Sequence, residues 1–319
     1  MSKKEFLITA ATGDTGRAVT RFLLEKGHHV RALVHQLDKR SDALQELGAE
    51  IRLGDLLDFD TVAKALIGMD GAYFCYPIKP GLVQATAYFA QAAREANLKT
   101  IVNMSQISSR RDSQSHAAQD HWVAERVFDW CGVDVTHVRP TFFAEWFLYI
   151  APVIGEGTMP MPLFPEGRHA PVAAEDQARV IANILDNPAG HAGKIYPLFG
   201  AEELNQYEIT ELIANALGVP IKYEQVDVAG FLGYNVKHLK HTAGKAGEQS
   251  LDNSEQKVDA GMAFLVQHLE AVTIDHKNGL FAGNNNIVET VGKTKPMGIE
   301  EFVRKHRNAF LPTEPARLA

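Results

Sequence analysis

The run Thr9-Ala10-Ala11-Thr12-Gly13-Asp14-Thr15-Gly16 carries the sharpest chemical signal in the chain. Small residues let backbone N–H groups approach a pyrophosphate, and a helix starting directly afterwards adds a dipole that favours negative charge. Gly13 allows the close approach, and Gly16 lets the helix pack tightly on the preceding strand. Ala10 stands where a full dinucleotide fingerprint has its first glycine. The binding set expected here is Ala11, Thr12, Gly13, Asp14, Thr15 and Gly16. An ordinary glycine-rich turn is the plainer alternative.

Further along, Arg31, His35, Lys39 and Arg40 gather around the end of the second expected strand. An NAD-selective site places an acid there for the ribose hydroxyls. The first acid, Asp38, falls beyond that point, so these cations offer a field for a 2′-phosphate. NADP(H) is therefore expected in preference to NAD(H). Asp55, after the third strand, can accept a hydrogen bond from an adenine amino group, or can serve as a turn or capping residue. His121 and Glu125 stand four apart and share one face of an expected helix. A histidine exposed in a cleft there can act as a general acid near neutral pH or as a hydrogen-bond donor. The alternative is a surface or capping histidine paired with Glu125. His116 and His121, five apart, do not share a helical face well, so no metal site is expected from them and Glu125. His238 and His241 read as part of a solvated basic helix. Phe142, Phe143, Trp146, Phe147 and Tyr149 form a dense aromatic group. Such a group is either core or, where Phe142, Phe143 and Trp146 line a cleft, a wall for a flat apolar ligand.

The elements that must position these residues alternate. Strands are expected at Phe6 to Thr9, His29 to Val34, Glu50 to Leu53, Ala72 to Tyr76 and Thr100 to Met104. Helices are expected at Gly16 to Lys26, from an N-cap at Ser41 to Gly48, at Asp60 to Gly68 and at Leu82 to Ala96. This rhythm implies right-handed crossovers and a parallel sheet covered on both faces, an α/β fold. After Val138, prolines 140, 152, 160, 162, 165 and 171 interrupt the chain and exclude a long regular helix. Beyond them come a helix at Ala174 to Asp186, a strand at Lys194 to Phe199, a helix at Gln206 to Leu217 and a strand at Ile221 to Val226. A polar loop at His241 to Ser254 and a helix at Ala260 to Ala271 follow. The expected division is 1–154 for the nucleotide domain and 155–319 for a smaller α/β lobe, with about 168–200 packing back on the sheet.

Composition narrows the possible functions. The 319 residues are 45% hydrophobic and 22% charged, with a formal net charge of −7. That balance excludes wholesale disorder and argues against a protein that coats nucleic acid. Two cysteines, Cys75 and Cys131, cannot form a disulfide framework and read as buried free thiols. No apolar run reaches the ~18 residues of a membrane span, and the start has no signal-peptide pattern, so a cytoplasmic protein is expected.

Taken together, several stretches resemble the NmrA-like group of atypical short-chain dehydrogenases/reductases. They are Thr9-Ala10-Ala11-Thr12-Gly13-x-x-Gly16, Gly27-His28-His29-Val30-Arg31-Ala32-Leu33-Val34-His35, Gly54-Asp55, Arg139-Pro140-Thr141-Phe142-Phe143, Pro171-Val172-Ala173-Ala174-Glu175-Asp176 and the run from Gly298 to His306. The resemblance implies a Rossmann-type, doubly wound parallel sheet with a second, smaller C-terminal α/β lobe and NAD(P) in the cleft. It implies either a reductase, quinone reductases included, or a cofactor-sensing regulator with a protein partner. It places Gly13 and Gly16 at the pyrophosphate, His35 at the 2′-phosphate, Asp55 beside adenine and Ser105 near the nicotinamide. Pro140 of the Arg-Pro motif joins the cofactor set, and His121 takes a Lys/His position as the second catalytic candidate beside Ser105. No Tyr or Lys lies between Ser105 and Val127, so the Tyr-x-x-x-Lys mechanism is absent. Trp146 stands where many members carry Asn. The expected function is reduction of a small apolar, possibly quinone-like, substrate; the alternative is the regulator.

Overall fold

The computed structural model describes residues 3–234 and 255–311. The chain forms two compact units. The first comprises the described part of Met1–Thr141, Ala174–Leu198 and Asn285–Lys295; the second comprises Phe142–Ala173 and the described parts of Phe199–Asn284 and Pro296–Ala319. Among the described residues no helix is long and apolar enough to cross a membrane.

The first unit is built on β1 (Glu5–Ile8), β2 (His29–Val34), β3 (Glu50–Leu53), β4 (Gly71–Phe74), β5 (Thr100–Met104), β6 (Asp134–Pro140) and β8 (Ile195–Leu198). They lie in the order β3-β2-β1-β4-β5-β6-β8, every pair parallel. A sheet buried on both faces needs continuous apolar strands, and Phe6, Leu7, Ile8, Ala72, Tyr73 and Phe74 are fully buried. The crossover helices are α1 (Asp14–Glu25), α2 (Lys39–Glu46), α3 (Phe59–Leu66), α4 (Leu82–Glu95), α5 (His116–Trp130) and α8 (Ala174–Asp186). Phe74, Phe89 and Phe128 pack edge-on and tilted at 5.0–6.4 Å between ring centroids, fixing α4 and α5 on β4. Strand order reverses between β1 and β4, and this switch point is where an open α/β sheet takes ligands.

Several local expectations need correction. Asp38, not Ser41, caps α2. The Asp38 carboxylate accepts from the Arg40 and Ser41 N–H groups, and Ser41 Oγ accepts from the Asp38 N–H at 2.9 Å, a capping box. The sixth strand, β6, had no counterpart in the expected elements because Asp134 and the prolines beyond it mask its apolar run Val135–Val138.

In the second unit, α6 (Trp146–Tyr149), α7 (Ala151–Gly155) and β7 (Thr158–Met161) fill the proline-rich stretch, and β7 pairs in parallel with β9 (Lys222–Gln225). Helix α9 (Gln206–Leu217) begins with an Asn205–Glu208 capping box and ends at Gly218, whose φ of +76° suits glycine. Helix α10 (Glu255–Lys277) is longer than the expected 260–271 stretch. The short helices α11 (Ile287–Gly292, in the first unit), α12 (Ile299–Lys305) and α13 (Arg307–Phe310) complete the described chain. The expected loop from His241 to Ser254, and with it His238 and His241, lies outside the described residues.

Candidate functional site

The glycine loop sits at the carboxyl end of β1, at the switch point. Thr9 anchors it: its N–H donates to Tyr73 O, its Oγ1 donates to Cys75 O at 3.1 Å, and the Cys75 N–H donates back to Oγ1 at 2.8 Å. Ala10 then turns the chain with φ +46°, the left-handed conformation that the fingerprint's first glycine supplies without steric cost. Gly13 N–H closes the turn on Ala10 O at 3.0 Å. A Cβ at Gly16 would overlap the Ala10 carbonyl and come within 2.9 Å of Ala11 Cα, so helix and loop meet backbone to backbone. A Cβ at Gly13 would meet only Ala10 O, at a tight 3.3 Å that a shift of a few tenths of an ångström would relieve. It is the exposed N-cap of α1 and supplies no side-chain cap. Thr15 Oγ1 is buried with no hydrogen-bond partner among the described residues. Asp14 lies 3.5 Å from Arg17 on the exposed first turn.

The basic group at the end of β2 divides. Arg31 donates from Nη1 to the carbonyls of Ala65 and Ile67 and from Nε to Glu50 at 2.8 Å. It clamps β2 to the end of α3, so its head is engaged by the protein and leaves the expected phosphate field. Arg40 is held by Asp38 through contacts of 2.5–3.2 Å, and the guanidinium keeps that acid far below the ordinary range. His35, 76% exposed, and exposed Lys39 remain. His35 Nδ1 stands 3.9 Å from Asp55 Oδ2. Asp55 Oδ1 caps its own turn, accepting from Leu57 N–H at 2.9 Å, and leaves Oδ2 toward His35. Burial and the Asp55 charge push the Tyr76 phenol up to about 12.

At the ends of β5 and β6 lies a buried polar centre. Glu125 of α5 is fully buried and pairs with Arg139 of β6 through Nε–Oε1 at 2.8 Å and Nη2–Oε2 at 2.5 Å. Burial pushes the Glu125 acid up, but the hydrogen bond from Arg139, the Ser105 hydroxyl and the Arg139 charge outweigh it and hold the group ionised. Ser109 Oγ donates to Oε1 at 3.5 Å, and Arg126 Nη2 lies 3.4 Å from Oε2. Ser105 is 3% exposed. Its Oγ makes no hydrogen bond of good geometry among the described residues but lies close enough for its dipole to favour the Glu125 carboxylate. His121, one turn before Glu125, is 4% exposed; the expectation of an exposed cleft histidine gives way because α5 packs that face inward. The strong partner of Glu125 is Arg139. Sequence reasoning passed over this pair, although an arginine inside the apolar strand Val135–Pro140 demands a counter-charge. Pro140 ends β6, and its carbonyl accepts from Ile107 N–H at 3.1 Å. Thr141 Oγ1 is buried without a partner among the described residues.

The aromatic group belongs to the second unit. Phe142 is buried, stacked on Phe281 at 4.3 Å and edge-on to Trp146 and His169. It is therefore a core residue of this unit, while Phe143 and Trp146 are half-buried and Trp146 stacks on Phe231 at 5.7 Å. Beneath Phe142, His169 Nδ1 and His276 Nε2 meet at 3.1 Å, and burial drives both rings toward the neutral form, His276 down to about 4. Of the two cysteines, Cys131 is buried as expected but Cys75 is only half-buried. No cluster of metal-ligand type occurs among the described residues.

A doubly wound parallel sheet with a glycine loop at its switch point defines a Rossmann-type protein. Within that class the chain belongs to the NmrA-like family, whose profile matches residues 2–275. It is 32% identical over 220 residues to an NAD(P)H azoreductase of Xenophilus azovorans, across 68% of this chain and 75% of that protein. Quinone oxidoreductase 2 of Escherichia coli strain K12 is 25% identical over 227 residues, spanning 70% of this chain and 78% of the relative. The solved structure of an NADPH-dependent quinone oxidoreductase from Escherichia coli, complexed with NADPH, matches with a TM-score of 0.74 at 21% identity, covering 95% of this chain and 100% of that one.

Proposed function

We propose that this protein is an NAD(P)H-dependent reductase of small apolar acceptors of the quinone or azo class. The observation that carries the reading is the glycine loop: a glycine N-cap without a side-chain cap, a Gly16 contact that no Cβ fits, and a buried Thr15 hydroxyl lacking a partner. These features fit a pyrophosphate, which Ala11, Thr12, Gly13, Asp14, Thr15 and Gly16 would hold. Asp55 would meet adenine, and His35 and Lys39 would give a 2′-phosphate its field, favouring NADP(H) over NAD(H). When bound, the nicotinamide supplies a hydride. Ser105 and Pro140 border its expected place. His121 would orient the reactants or pass a proton from within α5, and the Glu125–Arg139 pair fixes the helix that carries it. Phe143 and Trp146, both half-buried, are the aromatic residues suited to meet a flat substrate. Reductase relatives at 32% and 25% identity favour catalysis over a sensing role.

The test is oxidation of NADPH and NADH, followed at 340 nm, against a panel of quinones and azo dyes. Turnover with at least one acceptor is expected. Tight NADPH binding with no turnover across the panel would turn the reading toward a cofactor sensor.

A further inference from the structure

We propose that Gln106 is a specificity-determining residue whose side-chain amide donates a hydrogen bond to the acceptor oxygen of a quinone substrate. The proposal rests on the reductase reading above.

Gln106 follows Ser105 just beyond the end of β5, on the edge where parallel sheets take ligands. Its Oε1 accepts from Ser108 Oγ at 2.9 Å, which sets the roll of the amide and turns Nε2 away from Ser108. Nε2 is buried and has no hydrogen-bond partner among the described residues. A buried amide that nothing among the described residues satisfies at Nε2 is a costly arrangement unless a ligand completes it. The backbone around it is fixed: Ser105 N–H donates to Val138 O at 2.8 Å, Ile107 N–H to Pro140 O at 3.1 Å, and Arg110 Nη1 to Ser108 O at 3.2 Å. The donor is held in place before any substrate arrives.

The chemistry asks for such a donor. When a quinone gains a hydride, the two electrons leave negative charge on its oxygen, which then takes a proton from water to give the hydroquinone, while the nicotinamide is left oxidised. A fixed, desolvated N–H stabilises that oxygen as its charge grows. An amide donates at every working pH, which suits a segment without the usual Tyr and Lys.

The test uses the full chain and two variants. Gln106→Leu removes the amide; Gln106→Glu keeps an acceptor for Ser108 and removes the donor. We expect kcat/KM for 1,4-naphthoquinone to fall by about 10²-fold in both. Affinity for 1,4-naphthohydroquinone, read by tryptophan fluorescence, should weaken by about tenfold. The NADPH dissociation constant should stay within about twofold, a split that a merely structural role would not produce. Unchanged kcat/KM in a folded variant overturns the proposal. So does NADPH affinity falling in step with kcat/KM, which would put the amide on the cofactor. If the Leu variant does not fold, the Glu variant decides by the same criteria. A wild type inert toward every quinone and azo dye defeats the reductase reading and this proposal together; an active wild type with unaffected variants defeats this proposal alone.

Discussion

Glu125 and Arg139 are joined by two parallel hydrogen bonds inside the first unit, the carboxylate fully buried and the guanidinium 20% exposed. This forked geometry ties α5 to β6 and gathers the Ser105–Ser109 turn against the same carboxylate. The helix that carries His121 and the strand end that carries Pro140 are thereby held in one frame.

Removing one partner leaves the other charge buried and unpaired. Glu125→Ala should lower unfolding stability by about 3–5 kcal/mol in urea titrations. Because the folded pKa lies below the unfolded one, the pair's contribution is present above the ordinary glutamate value and lost as pH falls through the folded pKa. A loss under about 1 kcal/mol, the size of a surface pair, would contradict a clamping role.

The two loop glycines should separate structure from binding. Gly16→Ala forces overlap with the Ala10 backbone and should cost about 1–3 kcal/mol of stability. Gly13→Val crowds only Ala10 O, far less than Gly16→Ala does, but holds a pyrophosphate away from the N–H groups, so NADPH affinity should collapse in a folded protein. Fluorescence titration beside thermal melts checks both; NADPH affinity intact in folded Gly13→Val removes the loop from the cofactor site.

Cofactor preference should follow His35 and Lys39. His35→Ala with Lys39→Ala should narrow the gap between NADPH and NADH affinity by about ten- to a hundredfold, less at high salt. Arg31→Ala should leave the preference unchanged while loosening the β2–α3 junction. A preference that tracks Arg31 instead would reverse this assignment.

His121→Ala should slow turnover by about 10²–10⁴-fold if the imidazole moves a proton, and by less, with a rise in KM, if it only orients. As the ring is buried, some stability should go with it. Full activity in the variant would leave Ser105 and ordered water to do the chemistry.

The His169–His276 pair predicts acid sensitivity in the second unit. Burial depresses the folded pKa, to about 4 for His276, so between pH 6.5 and 4 the unfolded chain binds protons that the folded one refuses. Stability should therefore fall with falling pH, by on the order of 3 kcal/mol for His276. Urea midpoints measured from pH 7.5 down to 4.5 check the slope, and His276→Gln should flatten it.

Much of the first unit was legible because a buried parallel sheet writes itself as short apolar runs separated by glycine-closed helices. Phe6–Ile8, Gly16 and Gly27 are local signals of that kind. Arg31 was hard to place for the opposite reason: its type and position suit a phosphate, and only the fold brings the carbonyls of Ala65 and Ile67 within its reach. Glu125 and Arg139, fourteen positions apart, likewise meet only through tertiary packing. The aromatic cluster left core and pocket open, since spacing cannot tell that Phe281 covers Phe142.

The state of the two thiols bears on the quinone substrates proposed above. Quinones are Michael acceptors as well as hydride acceptors, and they arylate thiolates. Cys75, at the end of β4 beside the glycine loop, is pushed up to about 11 by its surroundings, and burial raises Cys131 as well. At neutral pH the thiolate, which is the nucleophilic form, is therefore a small minority of Cys75. On the quinone-reductase reading proposed above, a half-buried cysteine next to the glycine loop is thus kept a poor nucleophile toward the substrate.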